Sequence, residues 1–231
     1  MKDLKSLLNA GKDAALGLWW RFLLRPRADR PIPGKRYVAC VGDSITFGAA
    51  VVHTRRRDAW PYLLGRMLDG GRLQVLNLGV CAATANDSAD FPYREHGFLS
   101  LARKAELALV MLGTNDTKPC NWDAARYEQG LLRMLEELRA SGCRPVLLLP
   151  PKAFPDGSGI VGYDIRDEVI RDEVLPILRR TSETLALPLI DLYAFTAEHP
   201  EYFDDGVHPN AAGNRAIAEQ VFRSLRQLGL L

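Results

Sequence analysis

The stretch LALVML at residues 107–112, which runs directly into Gly113-Thr114-Asn115-Asp116, is the clearest strand signal in the chain. Six consecutive apolar residues that end at a glycine predict a strand buried on both faces of a parallel sheet. Two other apolar runs end in a similar way: residues 37–41 precede Gly42-Asp43-Ser44, and residues 73–78 precede Gly79. Because the carboxyl ends of parallel strands meet at one edge of a sheet, we expect these three segments to share one crevice.

Segments with helical spacing alternate with further strands along the rest of the chain. Residues 60–68, 123–140, 164–185 and 211–225 predict helices, the third with a kink at Pro176, and residues 146–149 and 189–191 predict strands. Apolar strands that alternate with helices predict an α/β fold with a parallel sheet and helices on both faces. Residues 152–162, which are rich in glycine, proline and serine, predict a loop over the crevice.

The composition limits the domain organisation and the partners. The chain has 231 residues, 47% of them hydrophobic and 25% charged, which predicts one globular domain, placed at residues 31–231. Lysine and arginine total 30 and the acidic residues 28, so the net charge of +2 gives no field that would indicate nucleic acid, and we expect a small-molecule partner. The four cysteines are widely spaced, which indicates neither a disulfide framework nor a zinc site and fits a reducing, cytoplasmic location.

Residues 1–30 differ in character from the rest. Their apolar residues fall roughly on one helical stripe, and they contain seven Lys or Arg against three Asp. We interpret them as an N-terminal amphipathic helical extension that packs on the domain or forms a dimer contact; contact with a membrane surface or a partner is the alternative. The longest uncharged stretch is too short to span a bilayer, so neither a cleaved signal nor a transmembrane helix is expected.

Ser44 is the candidate nucleophile of the crevice. It does not lie in a G-x-S-x-G elbow, because Thr46 occupies the position of the second glycine, and this disfavours the α/β-hydrolase fold. A serine hydroxyl needs a base, and only His208 among the four histidines follows a carboxylate by three residues in a tight turn. Asp205 can therefore orient His208 toward Ser44, with Asp204 as the competing carboxylate. As a metal pair Asp205 and His208 lack a third ligand, so no metal is predicted.

Acyl transfer also needs donors for a developing oxyanion. The backbone N–H groups of Ser44 and Gly79 and the side-chain amide of Asn115 would supply three such donors from the same crevice. A glycine at position 79 has a physical use there, because a Cβ would crowd the approach of a substrate to the backbone.

Four segments together resemble the sequence blocks of the SGNH hydrolases, also called GDSL esterases and lipases, and occur in that family's order. They are Gly42-Asp43-Ser44, Asn77-Leu78-Gly79, Gly113-Thr114-Asn115-Asp116 and Asp205-Gly206-Val207-His208. The resemblance covers residues 36–218, with Ile45 where the family name expects leucine. It implies a three-layer α/β/α sandwich with a mostly parallel, flavodoxin-like sheet of about five strands, and a serine esterase without cofactor. It implies that Ser44 is the nucleophile, that Asp205 and His208 complete the triad, and that Gly79 and Asn115 are oxyanion donors.

The substrate is indicated by a looser resemblance. Residues 113–122 are similar to members that remove O-acetyl groups from sugars, so we expect an esterase for small, acetyl esters of a carbohydrate that acts through an acyl-enzyme. Trp122 and Asp43 are candidate substrate contacts, although a core role for Trp122 and a structural one for Asp43 are open. The alternatives are a lysophospholipase or thioesterase held at a membrane by the N-terminal helix, and a non-catalytic binding module. Arg55-Arg56-Arg57 is interpreted as a solvated loop rather than an anion clamp.

Overall fold

The computed structural model describes residues 25–68, 73–154 and 163–231, and within them five strands form one parallel sheet. In chain order the strands are β1 Arg36–Gly42, β2 Leu73–Gly79, β3 Leu107–Met111, β4 Arg144–Leu149 and β5 Leu189–Asp191. Their order across the sheet is β2-β1-β3-β4-β5, and each neighbouring pair is parallel. This is the flavodoxin-like order, so the predicted fold class is confirmed.

Helices connect the strands and begin close to the predicted positions. In chain order they are α1 Ser44–Phe47, α2 Arg55–Asp58, α3 Trp60–Met67, α4 Leu99–Ala102, α5 Ala124–Ala140, α6 Asp167–Val169, α7 Leu175–Leu185, α8 Leu192–Thr196 and α9 Ala211–Gln227. A π-helical turn, Ile170–Val174, joins α6 to α7 just before Pro176. Because proline has no N–H to donate within a helix, the wider turn accommodates it where the sequence predicts a kink.

Apolar strand residues pack on both faces of the sheet, in two separate clusters. Val41 and Val110 belong to the cluster that contains residues of α5 and α7, whereas Cys40 and Leu109 belong to the cluster that contains residues of α3 and α9. Successive strand residues point to opposite faces, so two buried faces require near-continuous apolar strands. The architecture therefore has three layers, with the sheet in the middle.

The described end of the N-terminal segment lies along the edge strand β2. Asp29 accepts hydrogen bonds from the backbone N–H of Asn77 and from the hydroxyl of Tyr62, both at 2.9 Å. The amphipathic helix predicted for residues 1–30 falls mostly on residues 1–24, and the loop predicted at 152–162 mostly on 155–162; both ranges lie outside the described residues. Among the helices that the structure describes, none has the length and apolar character needed to cross a bilayer.

Candidate active site

Ser44 is the first residue of α1 and follows the end of β1 by two positions. Asp43 caps this helix, because its Oδ1 accepts the backbone N–H of Ile45 at 2.8 Å. On the neighbouring strand β2, Asn77 donates from Nδ2 to the carbonyl of Thr46 at 2.9 Å and so holds the other end of the helix. The short helix is thereby fixed at the carboxyl edge of the sheet, with Ser44 in the wall of a cavity.

Asp205 and His208 share the tight turn that the sequence indicates. Oδ1 of Asp205 accepts the backbone N–H groups of Val207 and His208 at 2.9 and 2.7 Å. Its Oδ2 lies 2.7 Å from Nδ1 of His208, and Nε2 of His208 lies 2.8 Å from Oγ of Ser44. An ionised carboxylate only accepts, so Nδ1 carries the proton and Nε2 accepts from the serine hydroxyl. The structure therefore brings Ser44, His208 and Asp205 into one hydrogen-bonded line.

The geometry of this turn depends on Gly206. Gly206 has a φ of +78°, and a Cβ at this position would lie 2.3 Å from the carbonyl oxygen of Phe154. Both the backbone angle and the close contact require glycine. The competing carboxylate, Asp204, instead accepts from Nδ2 of Asn210 at 2.8 Å, so the structure pairs His208 with Asp205.

Asp205 is held in its charged form. Burial opposes its negative charge, but the hydrogen bond and charge of His208, together with the two backbone N–H groups, outweigh burial and lower the pKa of Asp205 to about 2. Tyr163 adds a further donor, because its hydroxyl lies 3.3 Å from Oδ2 of Asp205 and its ring meets that of His208 edge-on at a centroid distance of 5.0 Å. A carboxylate that stays ionised can stabilise an imidazolium beside it.

The catalytic cavity, as we name the space beside Ser44, has a volume of about 510 Å³. Three alanines form part of its wall: Ala49 and Ala50, which follow α1, and Ala82, which follows β2. The other described residues that line it are Ser44, Val52, His53, Cys81, Asn115, Lys118, Tyr163, Ile165, Asp205, Val207 and His208. The wall is thus a mixture of small apolar groups and the polar groups of the triad, as in small-molecule sites.

The structure corrects the prediction for Gly79, which does not line the catalytic cavity. Its N–H donates to Oδ1 of Asn77 at 3.0 Å, so this donor is already engaged. A Cβ on Gly79 would lie 2.2 Å from the backbone nitrogen of Phe47. Glycine at this position therefore permits close packing of β2 on α1 and does not leave room for a substrate.

The turn that follows β2 brings Ala82 into the wall of the catalytic cavity. The N–H of Ala83 donates to the carbonyl of Val80 at 3.1 Å, which places Cys81 and Ala82 at the centre of a four-residue turn. Ala82 has a φ of +64°, a left-handed conformation that residues other than glycine and asparagine seldom adopt. The Ala82 N–H has no hydrogen-bond acceptor among the described residues. Its position was missed because alanine carries no sequence signal for a positive φ.

Asn115 lies in the cavity wall, as predicted, at the start of the 3₁₀ turn that follows β3. Its Nδ2 is 3.2 Å from the carbonyl of Ala83 and 3.4 Å from Oδ2 of Asp43. Both bonds are longer than the usual N–H···O distance, so an oxyanion, as a charged acceptor, can compete for this amide. Asp43 itself is buried and does not line the cavity, which corrects its assignment as a substrate contact: it caps α1 and orients Asn115.

Asp116 positions the loop that carries Ala82, a role that the sequence did not reveal. Its Oδ1 accepts the backbone N–H groups of Ala85 and Asn86 at 3.0 and 2.9 Å. Burial and, to a smaller extent, the charge of Asp43 outweigh these two bonds and raise the pKa of Asp116 to about 7. Burial likewise raises the pKa of Asp43 to about 6. Two neighbouring carboxylates thus anchor the backbone around the cavity.

Trp122 does not contact the catalytic cavity, which corrects its prediction as a sugar platform. Its indole N–H donates to Oε2 of Glu173 at 3.2 Å, and its ring packs against Tyr127 at a centroid distance of 5.7 Å. Trp122 is therefore a partly buried contact between α5 and the α6–α7 region. Within the described ranges there is no cluster of three metal-ligating side chains, and the four cysteines are unpaired thiols.

Comparisons with known proteins identify the family of the chain. Residues 40–216 match the model of the GDSL-like Lipase/Acylhydrolase family. An acetylxylan esterase of Xylanibacter ruminicola is 32% identical over 91% of this chain and 46% of its own length. The uncharacterized esterase YxiM of Bacillus subtilis is 22% identical over 99% of this chain and 61% of its own length. The chain thus spans about half the length of the curated relatives it matches.

Solved structures share the fold. The lipase/acylhydrolase from Enterococcus faecalis superimposes with a TM-score of 0.67 at 21% sequence identity. The match covers 84% of this chain and 96% of the other. At this level of identity the similarity shows that the two chains have the same fold, in agreement with the sheet order described above.

Proposed function

The chain belongs to the GDSL-like lipase/acylhydrolase family, and we propose that it is a serine esterase that removes acetyl groups from an esterified carbohydrate. The observation that carries this proposal is the line of hydrogen bonds of 2.7 and 2.8 Å from Asp205 through His208 to Ser44, in the wall of an open cavity. Each member has the partner that acyl transfer through a serine nucleophile requires.

In the proposed acylation step, Oγ of Ser44 attacks the ester carbonyl carbon while Nε2 of His208 takes the hydroxyl proton. The tetrahedral intermediate then collapses, the bond between the carbonyl carbon and the alcohol oxygen breaks, and His208 returns the proton to that oxygen. Asp205 stays ionised throughout and stabilises the imidazolium. The alcohol leaves, and the acetyl group stays on Ser44 as an ester.

Deacylation repeats these steps with water as the nucleophile. Nε2 of His208 takes a proton from the water that attacks the acetyl carbon, and the second intermediate releases acetic acid and restores the hydroxyl of Ser44. The proposed donors to both oxyanions are the N–H groups of Ser44 and Ala82 and Nδ2 of Asn115. Ser44 lies at the N-terminal end of α1, and Ala82 and Asn115 line the same cavity.

Two observations support a small acyl group on a carbohydrate. Ala49, Ala50 and Ala82 form the wall beside Ser44, and the acetylxylan esterase relative is named for an acetylated polysaccharide. Together with Val52, Ile165 and Val207, these alanines give the described wall short apolar side chains, which suit a compact acyl group. The lipid alternative rests on the helix predicted for residues 1–30, most of which lies outside the described residues.

A chain-length series of p-nitrophenyl esters tests the proposal on the full chain. We expect kcat/KM to fall steeply from acetate to butyrate and longer esters, and acetic acid to be released from acetylated xylo-oligosaccharides. Ser44→Ala serves as the blank for spontaneous hydrolysis. A rise of kcat/KM toward octanoate would support the lipid enzyme instead, and an enzyme whose Ser44→Ala variant retains full activity would be inconsistent with the proposed nucleophile.

A further inference from the structure

A second cavity, of about 500 Å³, adjoins the catalytic cavity and contains four arginines. Arg55, Arg56 and Arg57 form one side of it, and Arg27 and Asp29 another. The two cavities share Val52 and His53, which belong to the 3₁₀ helix Ala49–Thr54, so this helix contributes to the walls of both. We call this second cavity the arginine cleft.

The acidic groups near the arginine cleft are engaged in other bonds. Asp29, the one carboxylate among its described lining residues, accepts from the Tyr62 hydroxyl and from the Asn77 backbone. Asp58, which follows the arginine run, forms an ion pair of 2.9 Å with Arg57. Among the residues that the structure describes, the four arginines that border the cleft exceed these two carboxylates by two, a balance that favours an anionic ligand.

Arg55 connects the cleft to α1, the helix that begins with Ser44. Its Nε donates to the carbonyl of Phe47 at 2.6 Å, and its guanidinium lies 4.1 Å above the Phe47 ring. Its Nη2 is buried and has no hydrogen-bond partner in the described part of the chain. A buried guanidinium nitrogen without an acceptor is unfavourable, and an anionic ligand next to it would supply charge complementarity.

Arg56 and Arg57 are exposed arginines of the cleft, and Arg57 is paired with Asp58. The side chain of Arg56 makes no hydrogen bond or ion pair with another described residue, whereas its backbone carbonyl accepts from Arg66. The planar fork of an arginine matches a carboxylate or a phosphate in two-point geometry. An exposed arginine without a partner among the described residues, next to Arg55 with its buried Nη2, is therefore suited to recognise an anion.

We propose that the arginine cleft binds a carboxylate carried by the carbohydrate substrate, such as that of a uronic acid unit, while the acetyl ester lies at Ser44. This inference rests on the proposed esterase function. It is based on the wall that the two cavities share at Val52 and His53, which lets one oligosaccharide reach both sites, and on the charge of the arginines. A carboxylate is the anionic group that a sugar carries when its primary alcohol is oxidised to a uronic acid. The Arg55-Arg56-Arg57 run, interpreted above as a solvated loop, thus gains a specific role.

The experiment uses two acetylated xylo-oligosaccharides that differ only in a glucuronic acid side group. For the full chain, we expect kcat/KM to be about tenfold higher for the acidic oligosaccharide, which corresponds to one well-placed charge-assisted contact. Arg56→Gln should reduce the ratio of the two kcat/KM values toward one. Arg103→Gln, an exposed arginine that lies outside both cavities, should leave the ratio unchanged. The preference should also weaken as salt is raised from low to physiological concentration.

The controls separate this inference from the proposed function. If p-nitrophenyl acetate and both oligosaccharides are not hydrolysed, the esterase proposal fails. If both oligosaccharides are hydrolysed with equal kcat/KM, or Arg56→Gln keeps the preference, the arginine cleft does not select acidic sugars and the esterase proposal stands. Free glucuronate should compete with the acidic substrate in the wild type and not in Arg56→Gln. Competition by inorganic phosphate without competition by glucuronate would overturn the assignment to a sugar carboxylate.

Discussion

The two halves of the candidate active site, the proton-transfer line and the oxyanion side, are built from different kinds of structure. Side chains of two short sequence segments make the line from Asp205 through His208 to Ser44, and one hydrogen bond of 2.8 Å joins the segments. The proposed oxyanion side instead consists of backbone N–H groups and the amide of Asn115, whose direction is set by neighbours such as Asp43. Residue type thus defines the first half, whereas backbone conformation defines the second.

The largest expected effect is that of Ser44→Ala, which removes the nucleophile. By comparison with other serine hydrolases, kcat for p-nitrophenyl acetate should fall by up to about 10⁶-fold. Ser100→Ala, in an exposed serine that donates to the nearby carbonyl of Gly97, is the matched control and should keep wild-type kcat. Equal rates in Ser44→Ala and the wild type would remove the proton-transfer line from the mechanism.

Asp205→Asn should lower kcat by about 10⁴-fold, because an asparagine cannot hold the proton of His208 on Nδ1 in the same way. Asp204→Asn, one residue earlier, changes the same charge at a position that bonds Asn210, and should cost far less. The pKa of Asp205 is lowered to about 2, so its ionised form stabilises the folded state above pH 4, and this contribution is lost as the pH falls toward 2. The free energy of unfolding of Asp205→Asn should therefore change less between pH 2 and 5 than that of the wild type.

The sequence was informative where function depends on side chains in local segments. Asp205 and His208 are only three positions apart in one turn, so the local sequence indicates that the carboxylate and the imidazole meet. The apolar runs likewise predict the strands. The donors of Gly79 and Ala82 could not be distinguished in this way. Which N–H is free depends on Asn77, whose Oδ1 accepts a hydrogen bond from the N–H of Gly79, and on a positive φ at Ala82. Trp122 was misassigned because an aromatic residue at the start of a helix has the same pattern in a core as in a binding site.

On the oxyanion side, Asn115→Ala should lower kcat by about 10² to 10³-fold with a much smaller change in KM. The amide interacts with charge that develops mainly in the transition state, so ground-state binding changes little. The measurement is steady-state kinetics with p-nitrophenyl acetate, together with a melting curve to verify the fold. A variant that raises KM and keeps kcat would assign Asn115 to substrate binding instead.

Asp43→Asn should reduce kcat less than Asn115→Ala, because the amide of Asn115 stays in place but loses one of its two acceptors. The same variant tests a pH effect. Burial raises the pKa of Asp43 to about 6, so the folded state binds a proton that the unfolded chain releases, and the free energy of unfolding should fall as the pH rises from about 4 to 6. The slope over this range should be smaller in Asp43→Asn. An unchanged slope would assign the pH effect to Asp116 alone.

The smallest expected effect is that of Ala82→Gly. The sign of its change in stability tests whether Ala82 has the left-handed conformation on which the oxyanion side depends. A left-handed alanine costs about 1 to 2 kcal/mol, and the extra freedom of glycine in the unfolded chain costs about 0.4 to 1 kcal/mol, so the variant should be more stable by roughly 0.5 to 1 kcal/mol. Its N–H is retained, so kcat for acetate should stay within about twofold of wild type.

Ala82→Val is the matched control, because a β-branched residue is disfavoured at a positive φ and would also fill the wall of the catalytic cavity. We expect this variant to be less stable and slower. If Ala82→Gly instead loses about 0.5 to 1 kcal/mol, as glycine does in an ordinary backbone conformation, then Ala82 does not adopt the left-handed turn. The oxyanion side would then lack the backbone donor that this turn presents, and the comparison between the two halves of the site would have to be drawn again around Asn115.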